Sequence, residues 1–168
     1  AYFYYRLNTL YKGVPVYLEP VSPVDCINER ASEQEVWNVI LNDLTDCINE
    51  PNLKNKYASD DINFGRVTKG AAHSLRGKVY LWLKVWEKAE QDFRAVTTMG
   101  FSLFPDYKAL FKEANERCNE MIFSVQAIAE NGLHTSANVY YGNRMTPGTW
   151  GYNAIIINDT FVESFDCA

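Results

Sequence analysis

Between residues 36 and 96, apolar side chains recur at intervals of three and four, the period of helices that bury one face. Val36, Ile40, Leu44 and Ile48 form the first stripe, flanked by Trp37, Leu41 and Cys47. Ser32 and Glu35 stand before it as a capping box, each side chain placed to satisfy a free backbone N–H of the other, and Pro51 marks its end. A second stripe, Ala72, Leu75, Val79 and Leu83, follows Thr68 as N-cap. A break at Lys84-Val85 leads to a third stripe, Trp86, Ala89, Phe93 and Val96, with Gly100 placed to stop it. Near the start, Tyr4, Leu7 and Leu10 or Tyr11 fall on one stripe and predict the tail of a helix. Pro105 is expected at the first position of a short helix over 106–112.

The remaining segments predict less regular structure. Pro15 and Pro20 exclude a helix over 12–20 and leave an edge strand or an irregular extended run. Residues 22–30 are polar and turn-like, and 51–67 form a polar loop carrying Asp60 and Asp61. Residues 121–126 are expected as a strand or a buried extended segment. Residues 130–153 are irregular and rich in Gly, Asn and Tyr, and Thr160 with Glu163 repeats the capping-box pattern at the start of a last helix.

The pair of helices over 70–101 fits one tetratricopeptide-like repeat, with Gly77 as the small residue, Tyr80 as the bulky one, and Ala89 and Phe93 at the close-packing positions. One repeat cannot bury its own apolar face, so neighbouring helices are expected to complete it. The expected fold is mainly α: tetratricopeptide-like helix pairs with an irregular, loop-rich elaboration. All of 1–168 is read as part of one domain, with 1–112 the helical scaffold. The stretch 113–168 would carry the strand, the loops and the start of a further helix.

Composition narrows the function. Sixteen basic and 21 acidic residues give a net charge of −5, which supplies no uniform basic field, so nucleic acid is a poor partner. Apolar runs such as Ala154-Ile155-Ile156-Ile157 fall far short of the roughly 20 residues a membrane-spanning helix needs. The start has no leader pattern, and both ends look cut, so an interior portion of a longer protein is expected. Aromatic residues make up 14% of the chain, enough either for an aromatic-rich core or for a surface that stacks on flat ligands. Cys26, Cys47, Cys118 and Cys167 include no CxxC pair, and neither His73 nor His134 is spaced with a cysteine pair to bind zinc. No metal or cofactor is called for.

Catalytic machinery is not visible. The chain contains no GxSxG elbow, no Gly-rich phosphate loop and no HExxH. Asp60-Asp61, Glu33/Glu35 and Glu116/Glu120 are carboxylate pairs better explained as solvated faces than as a glycosidase pair across a cleft. His73 is read as a packed helix residue. The long irregular region is the informative part, because such loops are usually functional or disordered, and its aromatics argue against disorder. Trp150, Tyr152, Tyr140 and Tyr141 offer ring faces for a pyranose, while Asn143, Arg144 and His134 can reach its hydroxyls. The alternative is that the same rings fold back as anchors. Trp150, Tyr152, Tyr140, Tyr141, Asn143 and Arg144 are the candidate ligand-binding residues.

Several strings taken together resemble the SusD/RagB family. They are Gly13-Val14-Pro15, the run Arg66-Val67-Thr68-Lys69-Gly70-Ala71-Ala72, Tyr80 with Trp86-Glu87-Lys88-Ala89, and Phe101-Ser102-Leu103-Phe104-Pro105-Asp106-Tyr107. Asn119-Glu120-Met121-Ile122-Phe123-Ser124-Val125-Gln126 and Gly151-Tyr152-Asn153 complete the series. The resemblance implies a surface-exposed lipoprotein of the outer membrane that captures nutrient glycans and hands them to a TonB-dependent SusC-like transporter. It implies a binding protein, not an enzyme, anchored by a lipid outside this sequence, with ligand contacts made by variable loops. Three other readings remain: a peptide-binding RagB-like protein, a tetratricopeptide-type adaptor, and, more weakly, a glycoside hydrolase.

Overall fold

The computed structural model describes residues 1–22 and 27–124. The chain divides into two units, Ala1–Ser124 and Val125–Ala168, and the second lies outside the described residues. Every regular element among the described residues is helical: α1 (Tyr2–Tyr11), α2 (Glu33–Asn49), α3 (Lys69–Trp82), α4 (Trp86–Thr97), α5 (Tyr107–Leu110) and a 3-10 turn at Glu113–Asn115. The first four pack in chain order, α1 on α2, α2 on α3 and α3 on α4.

The core lies between α2 and α3. Val36, Trp37, Ile40 and Leu44 of α2 meet Ala72 and Val79 of α3, with Tyr4, Tyr5 and Leu75 packed around them. Each fully buried aliphatic side chain here contributes about 1.5–3 kcal/mol relative to exposure. The helix starts as its sequence predicts. The Ser32 hydroxyl accepts the Glu35 N–H, and the Glu35 carboxylate accepts both the Ser32 N–H and the Ser32 hydroxyl at 2.7 Å. Those bonds from Ser32 hold the Glu35 carboxyl below its ordinary pKa. A depressed carboxyl adds stability above its unfolded pKa and loses it as pH falls through the folded one. Ser32→Ala is therefore expected to cost about 1 kcal/mol at neutral pH and less in acid, a difference that urea unfolding at the two pH values measures.

The α3–α4 hairpin realises the tetratricopeptide-like contact. A Cβ added at Gly77 would lie 2.7 Å from the Phe93 ring, so glycine is what lets the two helices approach, and Ala89 beside it is fully buried. The turn between them is a Schellman motif: Val85 N–H donates to Tyr80 C=O at 2.8 Å and Lys84 N–H to Leu81 C=O at 3.0 Å. Lys84 takes the left-handed position at φ 59° that glycine usually fills.

Two expectations change, and two open alternatives resolve. The helix at the chain start does not bury Leu7, Leu10 and Tyr11, which are exposed. Its inward face is Tyr4, Tyr5 and Asn8, because the Asn8 amide does what an apolar side chain could not. Its Oδ1 accepts the Gly13 N–H at 2.7 Å and its Nδ2 donates to the Glu33 carbonyl at 3.1 Å, tying the end of α1 to the start of α2. Pro105 precedes rather than opens α5, since Asp106 is the N-cap and its carboxylate accepts from Lys108 N and Ala109 N. The helix there is one turn, shorter than 106–112. Residues 12–20 take the irregular alternative, and 121–124 form no strand, whereas 125 and 126 lie outside the described residues.

Candidate functional site

The six candidate ligand residues, Trp150, Tyr152, Tyr140, Tyr141, Asn143 and Arg144, lie outside the described residues, as do His134, Cys26 and Cys167. Among the described residues, a polar network ties the loop that precedes α3 to the segments that follow α4. Lys69 N–H donates to the Lys54 carbonyl and Gly70 N–H to the Asn55 carbonyl, seating the loop on the start of α3. The Lys56 ammonium then donates to the Gly100 carbonyl at 2.7 Å and to Asn119 Oδ1 at 2.8 Å, while lying 4.7 Å from the Phe101 ring centre. Ser102 N–H donates to the Asn119 carbonyl and Phe104 N–H to Glu120 Oε2 at 2.6 Å. Glu120 is thus a structural acceptor rather than part of a solvated pair.

These bonds hold open a cleft of about 360 Å³ between residues 59, 102–105 and 117–119. Its lining mixes apolar Leu103, Phe104 and Pro105 with polar Ser59, Ser102, Asn119 and Arg117, whose guanidinium sits 4.7 Å over the Phe64 ring. Asp61, in the same loop, is bound from within: its Oδ1 accepts from the Asn63 backbone and side chain, and Lys54 lies 3.7 Å away. The Asn63 backbone bond is the main reason its carboxyl sits below the ordinary range. Its neighbour Asp60 is exposed, and Cys47 and Cys118 are free thiols.

A second cluster escaped the sequence reading. Asp92, buried on α4, accepts from Arg76 Nε at 2.8 Å and Nη2 at 2.7 Å, and stands 2.8 Å from His73 Nδ1. Arg76 Nη1 also donates to the Thr45 hydroxyl, which donates to the Leu41 carbonyl. The hydrogen bond to Asp92 raises the Arg76 pKa further, against the opposing effect of burial. The cluster joins α2, α3 and α4 through one buried carboxylate, an arrangement suited to holding the three helices together. The available signal was an Asp on the inward side of α4, sixteen residues from an arginine one turn from His73. Among the described residues no three His, Cys, Asp or Glu side chains are grouped to hold a metal ion, and no helix is long and apolar enough to cross a membrane.

No protein-family model and no curated protein matches the chain. Solved structures do. A SusD-like protein of Bacteroides fragilis is 30% identical over 74% of this chain, with a TM-score of 0.65. A laminarin-binding SusD-like protein is 26% identical over 91% of this chain, with a TM-score of 0.67. A SusD-like carbohydrate-binding protein of Bacteroides fragilis shares the fold at a TM-score of 0.72 over 82% of this chain, at 21% identity. The matched stretches make up 25%, 32% and 27% of those three chains.

Proposed function

We propose, on the premise that this chain is a SusD-like protein, that it is part of a cell-surface glycan-binding protein whose helices are scaffold and whose loops take the ligand. The observation that carries this reading is the match over 91% of the chain to a protein that binds laminarin. The aromatic content of 130–153 fits the same chemistry, because a pyranose presents a C–H-rich face to a ring while its hydroxyls need a few fixed polar partners. Trp150, Tyr152, Tyr140 and Tyr141 are proposed to stack, with Asn143 and Arg144 reaching hydroxyls.

The protein is proposed to bind without turnover, to be held at the outer-membrane surface by a lipid anchor, and to deliver glycan to a TonB-dependent SusC-like transporter. The match to a laminarin-binding SusD-like protein supports the first point. A peptide ligand is the second reading, and it would rely on backbone hydrogen bonds in place of ring stacking.

Affinity electrophoresis of the intact protein through gels containing laminarin, and a panel of other polysaccharides, tests the proposal. Retardation by at least one glycan is expected, weakened about tenfold by Trp150→Ala, equivalent to about 1.4 kcal/mol. Retardation untouched by Trp150→Ala keeps glycan binding and moves it away from that ring. A protein that no glycan retards would shift the reading to peptides.

A further inference from the structure

We propose that the cleft between residues 59, 102–105 and 117–119 is a saccharide subsite in its own right, an inference that rests on the glycan-binding reading above. Its volume of about 360 Å³ lies within the roughly 300–1,000 Å³ range of small-molecule sites, room for about one or two hexose rings. The lining joins an apolar surface at Phe104 and Pro105 to polar side chains with unused capacity. The hydroxyls of Ser59 and Ser102 and the amide nitrogen of Asn119 make no hydrogen bond to another described residue. Among the described residues, the Arg117 guanidinium meets the Phe64 ring face and no acceptor.

The same groups are fixed from behind. Lys56 holds the Asn119 side-chain oxygen, which sets the direction of the amide, and the Ser102 N–H holds the Asn119 backbone. Glu120 anchors the Phe104 N–H, and the Phe64 ring carries Arg117. Asn119, whose side-chain oxygen is held by Lys56, and Ser102, whose N–H is held by the Asn119 carbonyl, lose little entropy on meeting a ligand. Such donors among apolar lining residues suit a neutral sugar, whose ring oxygens accept and whose C–H face needs an apolar surface. Exposed charges alone would not favour an acidic sugar here, because exposed Glu116 directly precedes Arg117 in the chain.

The test uses the intact protein and two substitutions that leave the far-side hydrogen bonds of Lys56, Ser102 N–H and Glu120 intact, Ser102→Ala and Arg117→Gln, combined in one variant. Every polysaccharide that retards the wild type is run against this variant and against Trp150→Ala, with melting temperature as the control for folding. The proposal expects retardation by at least one glycan to weaken about threefold to tenfold in the double variant, an amount that losing one or two hydrogen bonds gives. The bulkier Ser59→Trp, which fills the cleft while leaving Ser102, Asn119 and Arg117 in place, is expected to weaken the same glycan. If the variants match the wild type for every glycan that binds, the subsite is refuted while glycan binding stands. If no glycan retards the wild type, both readings fall.

Discussion

Asp92→Ala is expected to lower the free energy of unfolding by about 3–5 kcal/mol, the usual cost of stranding a buried charge whose partner has been removed. The carboxylate is the shared acceptor for Arg76 and His73, and without it the Arg76 guanidinium keeps only the Thr45 hydroxyl as a hydrogen-bond partner among the described residues, beside the Tyr80 ring. Truncating Asp92 therefore costs more than the cluster itself contributes. Replacing both ends of the ion pair, as in Arg76→Met with Asp92→Leu, is expected to cost less than the two single changes added together. A double-mutant cycle in urea reads that coupling directly. Additive costs would mean that the three-helix clamp does not act as a unit.

Trp37→Ala is expected to cost a similar amount, about 3–5 kcal/mol, for a different reason. Trp37 is 1% exposed and sits between Tyr5 of α1 and Trp82 of α3, with ring centres 6.1 and 6.3 Å away. Removing the indole leaves a cavity where three helices meet, and neither flanking ring can fill it without leaving its own contacts. Thermal unfolding checks the size of the loss. Because Trp82 is half exposed, Trp82→Ala should cost clearly less. Equal losses would show that area buried is not what sets the scale.

The helices were legible wherever apolar periodicity and capping chemistry agreed. Ser32 with Glu35, and Thr68 ahead of Ala72, located two helix starts because those side chains act on backbone groups within a turn. The Gly77–Phe93 contact followed from the repeat pattern, since close helix packing needs a residue without a side chain. What escaped was polar burial. Asn8 finds its partners at Gly13 and Glu33, and Asp92 finds Arg76 sixteen residues away. Periodicity places such residues on a face but says nothing about the distant donors that make their burial tolerable. Leu7 and Leu10 misled for the converse reason: an apolar residue on a helix is not obliged to face the core.

The cleft was illegible as well, although most of its residues lie in strings used for the family resemblance. Ser102, Phe104 and Asn119 are unremarkable in sequence. They become a site only because Lys56, from a loop before α3, reaches across to Gly100 and Asn119. The loop aromatics, in contrast, were singled out by composition alone, and Trp150, Tyr152, Tyr140 and Tyr141 lie outside the described residues.

The central claim is that glycan is held by loop aromatics while the helices serve as scaffold. Trp86 offers the sharpest contrast, because it is 60% exposed on α4 and edges an open groove with Phe93 and Arg94. Calorimetric titration of the most strongly retarding polysaccharide into the wild type, Trp150→Ala and Trp86→Ala separates the two surfaces. Affinity about tenfold weaker for Trp150→Ala and unchanged for Trp86→Ala is the predicted result. Loss of binding in Trp86→Ala with Trp150→Ala intact would contradict the account and put the ligand on the helices.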